Sequence, residues 1–230
     1  MPIENFIKQT YPESEEGKIL TRRLINDLEG KYTFDLSKTL LATSVCSDEI
    51  IRSATNFREY VEMDNPFQLG GLAGYPFAGL TGIKAFAGHI PDDGAAIILY
   101  GPHIGVSKSG EIGFMQRHGQ MLDTSCCGAL QASLSTLRKK NEPADAELDY
   151  QQWKIETELD EEREKILEHD LPLVKATDTM FNVIDSQIET LIRASGKALE
   201  GKKIALIGGI IINTDYNLPD WFDLRRFDIR

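Results

Sequence analysis

The amino-acid sequence predicts an α/β fold with a mostly parallel central sheet covered by helices. Two observations carry this. Residues 39–45 (TLLATSV), 95–100 (AAIILY) and 202–213 (KKIALIGGIIIN) are apolar almost throughout. Strands of that kind, unlike alternating ones, belong to sheets buried on both faces. Between these runs lie stretches with helical spacing, and alternation of strand and helix is the pattern of this class.

The elements follow in order. Residues 14–28 read as an amphipathic helix, with Leu20, Leu24, Ile25 and Leu28 on one stripe. The strand at 39–45 ends at Cys46. Residues 47–62 are expected to be helical, because acidic residues at their start suit a helix N-terminus. Residues 67–94 spread glycines through apolar residues, which predicts tight turns and close backbone packing rather than a flexible linker. The GGLAG run within them lacks the Gly-Lys-Ser/Thr ending of a phosphate loop. The strand at 95–100 runs into Gly101-Pro102-His103, and a short strand is expected at 112–115. Asp123, Thr124 and Ser125 are good cap residues for a helix marked by Leu130, Leu134 and Leu137. Cys127 then falls in the first turn of that helix or just before it. Residues 142–168 are highly charged and read as a solvated helix face or a surface insertion; residues 180–199 form another amphipathic helix.

A length of 230 residues suits one domain over 1–230, with a helical N-terminal arm to about residue 30 and a charged helical segment over about 142–170. With 25 basic and 36 acidic residues the net charge is −11. Such a surface argues against nucleic acid or an anionic membrane as partner. The longest apolar run, 204–212, is interrupted by Gly208 and Gly209 and is too short to cross a bilayer. The first nine residues do not read as a secretory signal. Three cysteines do not make a disulfide framework. Reduced thiols in the cytoplasm are the expectation, or in a plastid stroma if a transit peptide has been removed.

The chemistry-bearing residues point to a catalytic zinc site. Cysteine and histidine are ligands that zinc prefers, and a set of two cysteines and one histidine leaves a fourth position for water. Cys46 follows one predicted strand, His103 follows another, and Cys127 opens a helix. Sites in open α/β sheets gather beyond the carboxyl ends of strands, and a helix N-terminus favours a thiolate. His89, just before a proline, is the rival ligand; His118 reads as surface or as a neighbour of the site, and His169 as solvated. Cys126 is the rival of Cys127, which is preferred because Gly128 follows it. Asp48 and Arg52 are four residues apart, a spacing that lets them pair on a helix. Beside a metal, Asp48 would accept a hydrogen bond from the attacking water while Arg52 keeps it ionised.

The runs VCSDEIIR, PFQLGGLAGYPFAGLTGIKAFAGHIPDDG, ILYGPHIGV, RHGQ and SCCGAL resemble the LCIB/LCIC family of limiting-CO2-inducible proteins. The resemblance is close over residues 40–137 and general elsewhere. That family is similar to β-carbonic anhydrases in fold and site, and its active members are also called θ-carbonic anhydrases. The resemblance implies Zn2+ on Cys46, His103 and Cys127, an Asp48–Arg52 dyad, and a homodimer. It implies reversible hydration of CO2 to bicarbonate. For the CO2 itself an apolar pocket walled by Phe67, Leu72, Tyr75 or Phe77 is expected. The spacing departs from ordinary β-carbonic anhydrases, in which the arginine follows the aspartate by two residues and the second cysteine follows the histidine by three. Here the gaps are four and twenty-four. Two alternatives stand beside this expectation: a catalytically inactive zinc-fold protein that handles inorganic carbon through protein partners, and a hydrolase with a cysteine nucleophile.

Overall fold

The apolar runs form the middle of one sheet. The computed structural model describes residues 2–53, 56–62 and 65–230, without the side chains of Arg52 and Ser53. In chain order the elements are α1 (Ile3–Thr10), β1 (Glu15–Glu16), α2 (Gly17–Gly30), β2 (Thr39–Ser44), β3 (Phe67–Gln68), α3 (Gly79–His89), β4 (Ala95–Tyr100), β5 (His103–Gly105), β6 (Phe114–Met115), β7 (Thr124–Ser125), α4 (Gly128–Lys139), α5 (Tyr150–Asp160), α6 (Arg163–Leu167), α7 (Pro172–Ser195), β8 (Lys203–Asn213) and β9 (Trp221–Ile229).

The main sheet has the order β1-β9-β8-β4-β2-β3, with β5 also on β8. β2, β3, β4, β5 and β8 run parallel; β9 and β1 are antiparallel at one edge. The mostly parallel sheet of the sequence reading is therefore present. β4 and β5 share one partner. β8 pairs with β4 up to Tyr100↔Gly208, and after Gly101-Pro102 the chain rejoins β8 at His103↔Ile211. β4 is buried along its whole length and β8 along all but its first residue, and each aliphatic side chain so placed contributes about 1.5–3 kcal/mol. α7 packs on β8 and against α3, α4, α5 and α6. Among the described residues no helix is long and apolar enough to cross a membrane.

Several elements differ from the sequence reading. Among the described residues of 47–62 there are short 3-10 turns, Glu49–Ser53 and Asn56–Glu59, and no α-helix. The glycine-rich stretch contains a full helix, α3, which buries Ile83, Phe86 and Ala87; the spacing of those residues outweighs the low helix propensity of its glycines. The charged segment is not simply solvated. α5 buries Gln152, Ile155, Glu156 and Leu159. The Glu156 carboxylate is satisfied by Thr136 Oγ1 at 3.0 Å, the Ala144 amide at 2.7 Å and Gln152 Nε2 at 2.9 Å. β9 escaped the sequence reading because its arginines mask it. Arg225 and Arg226, with Arg230 just after the strand, pair with Asp178, Asp185 and Glu189 of α7.

Where β4 gives way to β5 the backbone is crowded. Gly101 has a φ of +147°, and a Cβ there would lie 1.7 Å from the Gly209 carbonyl oxygen. A Cβ on Gly74, at φ +85°, would lie 2.3 Å from the Gly101 oxygen. Gly101→Ala is expected to cost about 3 kcal/mol or more, from strain and overpacking together. Urea unfolding measures this; wild-type stability would show that the strand ends can spread.

Candidate metal centre

Three elements deliver one cluster. Cys46 lies two residues beyond β2, His103 is the first residue of β5, and Cys127 is the N-cap of α4. Their ligand atoms lie within 4.8 Å of one another, and all three residues are buried. Such a group could hold a metal ion. The Sγ atoms of Cys46 and Cys127 are 3.9 Å apart. Two Zn–S bonds of about 2.3 Å at a tetrahedral angle would place sulfurs about 3.8 Å apart, so the donor spacing fits.

The histidine is set for ligation. His103 Nδ1 is 2.9 Å from Asn213 Oδ1, the last residue of β8. With Nδ1–H donating to that oxygen, the lone pair falls on Nε2, which is buried without a hydrogen-bond partner. Buried polar atoms are rarely left so; a metal ion on Nε2 satisfies it, and a hydrogen bond on the other nitrogen is the usual device for orienting a ligand histidine. Asn213 Nδ2 is also buried and unpartnered.

The adjacent cysteines face different ways. Cys127 Sγ meets Cys46, whereas Cys126 Sγ lies 3.5 Å from His103 Nδ1 and 3.8 Å from Asn213 Oδ1. Cys126 thus sits on the far side of the imidazole from Nε2. All three cysteines are free. His89 is not part of the cluster. It is exposed at the end of α3, with its ring 5.7 Å from that of Phe67.

Charge in the cluster favours a cation. Burial works to lower the basicity of His103, but the sulfur charge of Cys126 and then Cys46 outweighs it and drives the ring well above its ordinary value. Contact with Cys127, and then burial, push the Cys46 thiol up. Two sulfurs sharing a buried site resist negative charge until a cation joins them.

Beside the cluster, Asp48 is held by an arginine the sequence reading did not assign. Arg117 Nη2 donates to Asp48 Oδ2 at 2.8 Å. The Arg117 fork also reaches Glu49 Oε1 at 3.2 Å, Thr124 Oγ1 at 2.6 Å and the Ser125 carbonyl at 3.0 Å. The Arg52 side chain lies outside the described residues, so its expected pairing with Asp48 does too. Burial acts to raise the Asp48 carboxyl; a hydrogen bond with Glu49 and the charges of His103 and Arg117 outweigh it and hold it below the usual range.

The three aromatic residues of the expected wall fall into two groups. Phe67 packs on Phe86, while Tyr75, Phe77 and Tyr150 form a chain. Leu72 and Tyr75 flank the turn whose Gly74 carbonyl accepts from Ser44 Oγ at 2.9 Å. A separate cleft of about 640 Å³ opens beside Arg117, lined by Glu49, Ile50, Met115, His118, Thr214 and Tyr216 among others.

The chain as a whole is similar to known proteins. The family model of the limiting CO2-inducible proteins B/C β-carbonic anhydrases matches residues 19–230. The chain belongs to that family. The crystal structure of PtLCIB4, a homologue of the limiting CO2-inducible protein LCIB, is 32% identical, with a TM-score of 0.90 over 99% of this chain and 95% of that one. Limiting CO2-inducible protein LCIB itself is 21% identical, with a TM-score of 0.70 over 96% of this chain and 92% of that one, which is a likeness of fold. Among curated proteins none matches. The resemblance read from residues 40–137 thus extends over most of the chain, and the β-carbonic anhydrase-like fold it implied is the family's.

The geometry separates neighbouring candidates. Purified Cys46→Ala, His103→Ala and Cys127→Ala proteins are expected to lose bound metal, while Cys126→Ala and His89→Ala keep it. Metal content per chain by plasma emission checks this, and loss from Cys126→Ala but not Cys127→Ala would reverse the assignment.

Proposed function

We propose that the protein holds Zn2+ on Cys46, His103 and Cys127 and catalyses the reversible hydration of CO2 to bicarbonate. The observation that carries this is the His103 ring, fixed on Nδ1 by Asn213, with Nε2 buried and unpartnered beside two thiols. Two sulfurs and one imidazole suit zinc over harder ions. When bound with three protein ligands, zinc lowers the pKa of water to about 7 and so supplies a nucleophile at neutral pH.

The residues of the chain do the rest. An ionised Asp48 only accepts hydrogen bonds, so it orients the attacking water with one proton toward itself. Arg117 keeps that carboxylate charged and turned to its task. The apolar wall for CO2 is assigned to Leu72 and Tyr75, on the turn against Ser44, with Phe77 packed on Tyr75 and Phe67 in a second group on Phe86. We assign the active form as a homodimer, as the family resemblance implies. Reduced thiols fit a cytoplasmic or stromal setting.

Stopped-flow hydration by zinc-loaded protein tests the reading. Activity in metal-free protein would point instead to a cysteine hydrolase, and a zinc-loaded but inactive protein to a zinc fold that acts through partners. Asp48→Ala is expected to keep zinc and lose about 10²–10³-fold in hydration rate, the usual size for one oriented hydrogen-bonding group. The same assay identifies the dyad. Arg117→Ala is expected to lower the rate more than about tenfold and Arg52→Ala to leave it near wild type; the reverse result restores Arg52.

A further inference from the structure

We propose that Cys46 and Cys127 are an oxidation site as well as a ligand pair: peroxide converts them to an intrachain disulfide that expels the metal, and a dithiol reverses the change. This rests on the metal-binding half of the reading above and not on CO2 hydration.

Of the three cysteines in the chain, two have their sulfurs in contact. Cys46 Sγ and Cys127 Sγ are 3.9 Å apart. Cys126 Sγ is turned instead to His103 Nδ1 and Asn213 Oδ1, and it is not among the clustered ligand atoms. Bonded sulfurs lie about 2.0 Å apart, so the pair must close by about 2 Å. Neither residue is held inside a regular element. Cys46 lies two residues beyond β2, and Cys127 is the N-cap of α4. Small side-chain and loop movements can therefore bring the sulfurs together.

The cross-link joins residues 81 apart in the chain, at the end of β2 and the start of α4. A metal on both sulfurs ties the same two ends. The disulfide thus replaces the metal as a tie, and the fold is kept. It does not replace the metal as a charge. Sulfurs bonded to each other are no longer thiolates, and a thiolate is the form that binds metal. His103 alone cannot make up for both.

The step balances with a peroxide as oxidant. Held on a cation, both sulfurs are thiolates, which is also the form that attacks peroxide. Cys46 is 8% exposed, against 2% for Cys127 and none for Cys126, so it meets the oxidant first. Its sulfur bonds one peroxide oxygen, the O–O bond breaks, and hydroxide leaves; Cys46 is then a sulfenic acid. Cys127 sulfur attacks Cys46 sulfur, the S–O bond breaks, and a second hydroxide leaves. Two solvent protons turn both hydroxides to water. The sum is two thiolates, one H2O2 and two H+ giving one disulfide and two H2O, with two electrons passing from sulfur to oxygen.

The test adds hydrogen peroxide in small excess to zinc-loaded protein. Three readouts follow it: released zinc by a chelating dye, free thiols after denaturation, and intact mass. Free thiols are expected to fall from three per chain to one. The denatured chain becomes about 2 Da lighter, as two thiols become one disulfide, and zinc appears in step. Dithiothreitol with fresh zinc restores all three, and circular dichroism shows the fold unchanged throughout. Cys126→Ala and Cys126→Ser are expected to cross-link and release zinc like wild type, and either one that folds suffices. Loss of the cross-link in both would mean that Cys126 is a partner and would overturn the assignment. Zinc release with a gain of oxygen and no disulfide overturns it too. Loaded protein that keeps its zinc and its thiols sinks this proposal alone. Reduced protein that takes up no zinc sinks the metal reading, and this proposal with it.

Discussion

Everything at the site depends on how closely the backbone packs where β4 hands over to β5. Gly101 passes against Gly209 of β8, and Gly74 passes against Gly101. The Gly101 amide donates to the Ser44 carbonyl at 3.0 Å, and two residues beyond Gly209 the Ile211 amide donates to the Pro102 carbonyl at 3.0 Å. These contacts tie the end of β2, the turn before His103 and the middle of β8 into one rigid knot. Cys46, His103 and Asn213 all hang from it. Parallel pairing supplies the alignment: Ser44 stands opposite Tyr100, and Tyr100 opposite Gly208. A side chain at Gly101 would force the strand ends apart and with them the donor atoms.

The cluster is costly to bury without a cation. A desolvated imidazole and two thiols at contact distance give up hydration and gain few hydrogen bonds in return. The direction of the His103 and Cys46 shifts expresses this: the ring is pushed toward holding positive charge and the thiol away from holding negative charge. A divalent ion would resolve both at once, by taking the Nε2 lone pair and stabilising the sulfurs as thiolates. Asn213 then has a defined part. By accepting from Nδ1 it selects the tautomer that leaves Nε2 available.

The buried strands and the identity of the cluster were legible in the sequence for one reason: both rest on local signals. A run such as AAIILY needs no partner to be read, and the placement of Cys46, His103 and Cys127 after strands or at a helix start follows from chain order. What was not legible depends on pairing across long separations. Arg117 reaches Asp48 across 69 residues, and Asn213 reaches His103 across 110. The i,i+4 spacing drew attention to Arg52, whose side chain lies outside the described residues, and no local spacing could have drawn it to Arg117. β9 carries an antiparallel edge whose arginines answer carboxylates of α7, and nothing local marks those partners. The direction of each sulfur in Cys126-Cys127 is likewise a tertiary fact.

Arg117 joins two parts of the site that sequence keeps apart. Its partnership with Asp48 is nearly buried, with side-chain exposures of 16% and 14%, so desolvation offsets much of the attraction and the pair is a poor source of stability. Geometry is its contribution. One guanidinium holds Asp48 on one side and, through Thr124 Oγ1 and the Ser125 carbonyl, the β7 segment on the other. β7 leads within two residues to Cys127. The position of the carboxylate and the position of a cluster cysteine are therefore set by the same planar group. A shift of Arg117 moves both, whereas a lysine, with a single charged point, could hold only one at a time.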